Sequence, residues 1–304
     1  MALGRRAGGS RAGAQRGALI GMVDRYLDAL AVNDPAGLPI GPHVQFTENG
    51  QRLALGKGLW ATATGVADHH YAYVEDHSLG QIGWIGVIGE GGRPAIVFVR
   101  LRVEGGLIAE IETIVRREQP QLYDPANMQE PRAIVFEELD PSERLSRAAL
   151  ADIGHRYFDG IERADAELIP ARDDCLRIEN GTQTVLVPDV SHLAGTPSAI
   201  VFPLSVRGQV DVGYVAYIDE IRDRRVVAVD EARGLVMLVV VFDHSARMRS
   251  VQVKGVGEVE LPRRYQSPNS ALIAELFKVR GGQIEHIEAV LEIVPYGART
   301  GWEA

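Results

Sequence analysis

From Leu19 to Asn33 the apolar side chains fall at Leu19, Ile20, Met22, Val23, Tyr26, Leu27 and Leu30. That spacing is one stripe of an amphipathic helix, which Pro35 and Gly37 then stop. A second stripe follows Pro141 and Ser142, with Leu145, Leu150, Ile153, Tyr157, Phe158 and Ile161 on one face, Ser142 as the expected N-cap and Pro170 past the end. Between and after the helices the period shortens to that of strands. The first set spans 44–47, 81–88, 95–103 and 107–115, and the second spans 176–179, 226–230, 235–242, 273–279 and 284–294. Gly105-Gly106 and Gly281-Gly282 each join two apolar runs, the two-residue connection of a hairpin with positive φ angles. The pattern predicts, twice over, helices followed by a long antiparallel meander.

The two halves also match residue by residue. Arg25-Tyr26-Leu27-Asp28 corresponds to Arg156-Tyr157-Phe158-Asp159, Asp34 to Asp165, and Glu48-Asn49-Gly50 to Glu179-Asn180-Gly181, all at one spacing of 131. The closing hairpins, 103–112 and 279–288, match at a spacing of 176, so the second copy carries about 45 additional residues. Their expected place is 188–211 and 245–268, where Pro, Gly and Ser accumulate. The proline-rich stretch 117–141 reads as an extended link. The expected organisation is a disordered leader at 1–17, one domain at 18–117, a linker at 118–141, and a second domain at 142–304 with insertions.

Composition narrows the functional classes. A net charge of −9 and the lack of basic clusters interleaved with aromatics argue against nucleic acid. The arginine-bearing leader has no apolar core of the secretory kind, and no apolar run reaches membrane-spanning length, so the expectation is a cytoplasmic protein without a membrane partner. Cys175 is the one cysteine, which excludes an internal disulfide and a thiolate cluster and is read as core packing. Neither a phosphate loop nor GxGxxG opening a helix is present, which disfavours nucleotide cofactors, and no HExxH spacing points to a metal. The expectation is a protein with no cofactor.

Helices followed by four or more antiparallel strands, closed by a Gly-Gly hairpin with an Ile-x-x-Ile-Glu tail, resemble the NTF2-like superfamily, which includes SnoaL-like cyclases and ketosteroid isomerases. The resemblance extends over most of 18–300. The segment from Leu276-Phe277-Lys278-Val279 through Ile284-Glu285-His286-Ile287-Glu288-Ala289 to Val294-Pro295-Tyr296-Gly297 and Gly301-Trp302 is similar to the close of an uncharacterised NTF2-like domain of fungal and bacterial proteins. The fold class implied is α+β: two tandem cone-shaped barrels, each with N-terminal helices on a curved antiparallel sheet around an apolar pocket. Because binding proteins share this fold, function rests on the site.

In the ketosteroid isomerases a helix tyrosine polarises a carbonyl and a carboxylate about two dozen residues later moves the proton. Here Tyr26 precedes Glu48, and Tyr157 precedes Glu179, by 22 residues each. A tyrosine could donate to an oxyanion while a glutamate raised by burial takes the proton. Equally, the tyrosines suit a core stripe, and a Glu before Asn-Gly suits a turn. Glu112 and Glu288 on the last strands are further catalytic candidates; alternation places them opposite Ile111 and Ile287 without saying which face holds the pocket. Asn49, His70, Tyr73, Trp84, Asn180, His244 and His286 are candidates for substrate contact, and Trp60, Trp302 and Tyr71 for pocket walls. The reading is a cofactor-independent acid/base lyase or isomerase (dehydration, double-bond shift or retro-aldol cleavage) acting on a hydrophobic oxygenated aromatic, polyketide or steroid-like molecule. The alternative is a non-catalytic small-molecule-binding or scaffold protein. In either case the repeat makes a pseudo-dimer within the chain, to which homo-oligomerisation can be added.

Overall fold

The computed structural model describes residues 17–67 and 69–302. The expected leader therefore lies, apart from Gly17, outside the described residues. Unit 1 comprises α1 (Ala18–Ala31), β1 (Ile40–Glu48), β2 (Gln51–Leu53), α2 (Leu59–Thr62), β3 (Ala63–Val66), β4 (Ala72–Asp76), β5 (Gln81–Glu90), β6 (Arg93–Glu104) and β7 (Leu107–Arg116). A connector follows, holding a helical turn at Pro125–Met128 and α3 (Ala133–Phe136). Unit 2 comprises α4 (Arg147–Glu162), β8 (Ala171–Glu179), β9 (Thr182–Gln183), α5 (Pro197–Val201), α6 (Val206–Asp211), β10 (Glu220–Asp230), β11 (Leu235–His244), β12 (Ser250–Val253), β13 (Gly257–Glu260), β14 (Asn269–Arg280) and β15 (Gln283–Pro295). The second long helix starts later than its sequence suggests. Its N-cap is Ser146, whose hydroxyl accepts from the Ala149 N–H at 3.3 Å, in place of Ser142.

Unit 1 forms a seven-stranded sheet in the order β2-β1-β7-β6-β5-β3 with β4 also on β5, and unit 2 a six-stranded sheet in the order β10-β11-β14-β15-β8-β9. The meander is antiparallel, as the Gly-Gly hairpins require, with Gly105 and Gly106 at φ 58 and 82 and Gly281 and Gly282 at φ 58 and 81. One pair per sheet departs from the expected pattern: β1 runs parallel to β7, and β8 parallel to β15. The first strand therefore closes against the last, and this pairing curls each sheet around its helix. Each unit is an α+β domain, a long helix on a curved sheet.

Each helix stripe is buried on the concave face of its own sheet. Leu19, Val23, Tyr26 and Leu30 meet Trp84, Val97, Val99 and Ile111; Leu150, Tyr157, Phe158 and Ile161 meet Leu238, Phe242, Phe277 and Ile287. The convex faces pack on each other in a third core. Ile85, Ile96, Phe98 and Ile114 of unit 1 lie there against Met237, Val239, Leu276 and Val290 of unit 2. The connector is drawn into this structure as well as running along it. Met128 and Val135 are buried in the shared core, and Lys278 Nζ donates to the carbonyls of Glu137 at 2.6 Å and Arg233 at 2.7 Å. The insertions fold into α5, α6 and the separate β12–β13 hairpin, with a small core of their own that includes Val251, Val253, Val259 and Leu261. No helix among the described residues is long and apolar enough to cross a membrane.

Candidate functional site

Unit 2 holds a cavity of about 660 Å³ between α4, the concave face of its sheet and the inserted segments. Alternation along β8 turns Arg177 and Glu179 inward, and α4 points Tyr157 at them. Arg177 Nη1 lies 3.4 Å from the Tyr157 hydroxyl, and its Nε lies 3.7 Å from the Glu179 carboxylate. Arg177 is held by Thr184 Oγ1 at 3.0 Å and Gln209 Oε1 at 2.5 Å, the latter from α6 in the insertion. Glu275, in the middle of β14, completes the group. Burial, then the charge of Glu179, raises its carboxyl from the ordinary 4.5 to about 8, against the opposing pull of Arg177 and the Tyr157 hydroxyl. At neutral pH Glu275 is largely protonated.

The opposite wall is aromatic. Tyr217 stacks on His244 at 5.5 Å between centroids, Tyr265 lies 4.8 Å from the same imidazole, and Tyr214 and Phe202 extend the surface. Burial lowers His244 to about 4, so the ring is neutral at pH 7, and its Nδ1 has no hydrogen-bond partner among the described residues. Cys175, in the apolar core of unit 2, is pushed up to about 12 by burial, consistent with a packing role.

Unit 1 has the same frame with a different filling. Tyr26 and Glu48 occupy the equivalent places, but the residues matching Arg177 and Glu275 are Phe46 and Val99, both buried. Trp60 lies edge-on to Tyr26 at 5.1 Å, and Glu48 accepts from the Leu59 N–H at 2.7 Å and pairs with Arg117 at 3.1 Å. Trp84, expected to contact substrate, is instead fully buried in the unit 1 core, where its indole N–H donates to His70 Nδ1 at 3.2 Å. His70 in turn meets Asp24 at 3.0 Å. Tyr73 packs on Phe136 and beneath Arg233, away from Glu48.

Several other sequence candidates sit elsewhere for definable reasons. Asn49 and Asn180 are the first residues of two-residue turns, at φ 49 and 48. Their amides bond the last strand: Asn180 Oδ1 accepts from Leu291 N at 2.9 Å and its Nδ2 donates to Leu291 O at 3.0 Å, while Asn49 does the same with Val115 at 2.7 and 3.2 Å. Both side chains act as clamps between the turn and the last strand. Glu112, Glu288 and His286 face the other unit, because the pocket lies on the side of Ile111 and Ile287. Glu112 binds Arg100 at 2.7 Å and Arg225 of unit 2 at 2.5 Å. Glu288 accepts from the Tyr71 hydroxyl at 2.9 Å and pairs with Arg132 at 2.9 Å and His286 at 2.6 Å. Trp302 lies over Arg100 at 4.5 Å and donates to Thr47 Oγ1 at 2.8 Å.

Arg177, Glu275, Tyr214, Tyr217 and Tyr265 are among the cavity residues that the sequence alone did not single out. A signal was available: an arginine and a glutamate stand in unit 2 where unit 1 keeps apolar residues.

Among solved structures, the chain is similar to a candidate polyketide cyclase from Silicibacter sp. TM1040, at 14% identity over 49% of this chain and 92% of that one, with a TM-score of 0.29. A candidate polyketide cyclase from Xanthomonas campestris pv. campestris is 14% identical over 47% and 90%, with a TM-score of 0.30. IdmH from Streptomyces antibioticus, a third candidate polyketide cyclase, is 12% identical over 47% and 91%, with a TM-score of 0.29. No curated protein matches the sequence. The family described as a domain of unknown function, DUF8021, matches residues 13–115 and 143–291, most of both units, and the chain belongs to it.

Proposed function

We propose that unit 2 is an acid/base lyase or isomerase site for a hydrophobic, oxygenated small molecule, and that unit 1 is its structural partner. The observation that carries this reading is the meeting of Tyr157, Arg177, Glu179 and Glu275 in one cavity that also has a broad aromatic and aliphatic surface. In this scheme a substrate carbonyl sits against the Tyr157 hydroxyl, with Arg177 beside it. Glu179 removes a proton from the carbon next to the carbonyl, and the developing oxyanion accepts a hydrogen bond from Tyr157, which protonated Glu275 supports. The same proton returns to a conjugated carbon in a double-bond shift, or leaves with a β-hydroxyl as water in a dehydration. No cofactor enters either course.

The test is turnover of a panel of enones and β-hydroxy ketones on aromatic frames by Glu179→Gln and Glu275→Gln proteins. Each substitution is expected to lower kcat about 10²- to 10⁴-fold while the thermal transition stays cooperative. Unchanged turnover in the double variant ends the acid/base reading. A non-catalytic binding protein is the second reading, favoured by the Arg177–Glu179 ion pair at 3.7 Å, which already engages the carboxylate.

A further inference from the structure

The cavity is lined in part by residues outside unit 2. Arg116, the last residue of β7 in unit 1, reaches it together with Gln119 and Gln121 of the connector. Arg116 is 3% exposed, and its guanidinium is poorly satisfied. Nη2 donates to the Gln121 carbonyl at 2.7 Å, Nη1 lies 3.5 Å from Glu292 Oε2, and neither Nε nor Nη1 has a hydrogen-bond partner among the described residues. Glu292 is engaged through its other oxygen, which accepts from Gln119 Nε2 at 3.2 Å and Ile293 N at 3.0 Å. Arg264, a second cavity residue, lies over Tyr265 at 4.6 Å and repels Arg116.

Two guanidinium groups thus line one cavity together with Glu292, and while Arg264 donates to the Gln121 side chain, Arg116 keeps two nitrogens without a hydrogen-bond partner among the described residues. Leaving such donors buried without an acceptor is costly, whereas a guanidinium edge matches a carboxylate in a fork of two hydrogen bonds. Glu179 and Glu292 also border the cavity, so a dianionic phosphate would meet two like charges, and the apolar lining suits a carbon skeleton. We infer that the ligand of this cavity carries a carboxylate, held by Arg116 with Arg264 as the second cation, so that unit 1 supplies the anchor for the site in unit 2. The inference rests on the cavity of unit 2 being a ligand site, and it holds whether or not the ligand is turned over.

The test is fluorescence titration of the full chain at pH 7.5 with 6-hydroxy-2-naphthoate and with its methyl ester. Wild type is expected to bind the acid about tenfold or more tightly than the ester, as one charge-assisted hydrogen bond provides. Arg116→Gln should remove that preference by weakening the acid far more than the ester, and Arg116→Lys should retain part of it. Glu292→Gln should strengthen acid binding, a gain that no folding defect would produce. Equal binding of acid and ester by wild type, or a preference that survives Arg116→Gln, overturns the anchor and leaves the cavity reading standing. Binding of neither probe by wild type overturns both. Displacement of the naphthoate by inorganic phosphate at lower concentration than by benzoate overturns the choice of carboxylate.

Discussion

Glu275 shows how one residue turns a packed barrel into a possible acid. With its pKa raised from 4.5 in the ordinary state to about 8 in the fold, the folded protein keeps a proton that the unfolded chain releases. The corresponding stability is fully present below pH 4.5 and is lost as pH rises through 8, because in that window the folded state binds more protons than the unfolded one. Thermal melts from pH 4.5 to 9 should therefore show wild type losing stability toward alkaline pH relative to Glu275→Gln, with the variant the more stable of the two at pH 9. Parallel curves for the two proteins would mean that Glu275 is not held neutral. The residue was hard to see in sequence because Ala271–Leu276 reads as an apolar strand with a single acidic position, and alternation cannot say which face looks into a pocket. Tyr157 and Glu179 were legible because the repeat preserves their register.

At the scale of the element, the Glu-Asn-Gly turn that marks the repeat does mechanical work. The first strand of each unit is parallel to the last, a pairing that no tight hairpin can set, and the asparagine amide fixes it by acting as one more rung of the ladder. Asn180→Ala should cost about 2 to 3 kcal/mol, from the buried N–H and C=O of Leu291 left unpaired and a left-handed residue without its preferred side chain; chemical denaturation measures it. An effect under about 0.5 kcal/mol would show that the parallel pair holds without the clamp. The hydrophobic period gave the long helices and central strands nearly to their ends. It did not give β4, β12, β13, α5 or α6, which are short and take their burial from neighbours distant in sequence. The parallel closure was equally hidden, since no local pattern distinguishes a strand paired with its sequence neighbour from one paired far along the chain, as Phe46 is with Ile111 and Arg177 with Ile287.

For the whole molecule, the face shared by the two sheets decides how it unfolds. Gly83 of β5 lets the sheets approach closely, since a Cβ there would lie 2.2 Å from the sulfur of Met237 across the interface and would force that side chain to move. Around this contact run the Glu112–Arg225 pair at 2.5 Å, the Arg147–Asp76 pair at 2.6 Å and the Tyr71–Glu288 hydrogen bond at 2.9 Å, each joining unit 1 to unit 2. Separating the units would expose both apolar faces and strand these buried charges, so neither unit is expected to persist after the other melts. Trp60→Ala, which empties a large site in the core of unit 1 alone, should cost about 3 to 5 kcal/mol. Scanning calorimetry is expected to show one transition in wild type and one transition, at lower temperature, in the variant. Two resolved transitions, with only the earlier one moved by Trp60→Ala, would mean that the units unfold independently. In that case unit 1 would not be the scaffold on which the unit 2 cavity depends, even though its β7 ends in that cavity at Arg116.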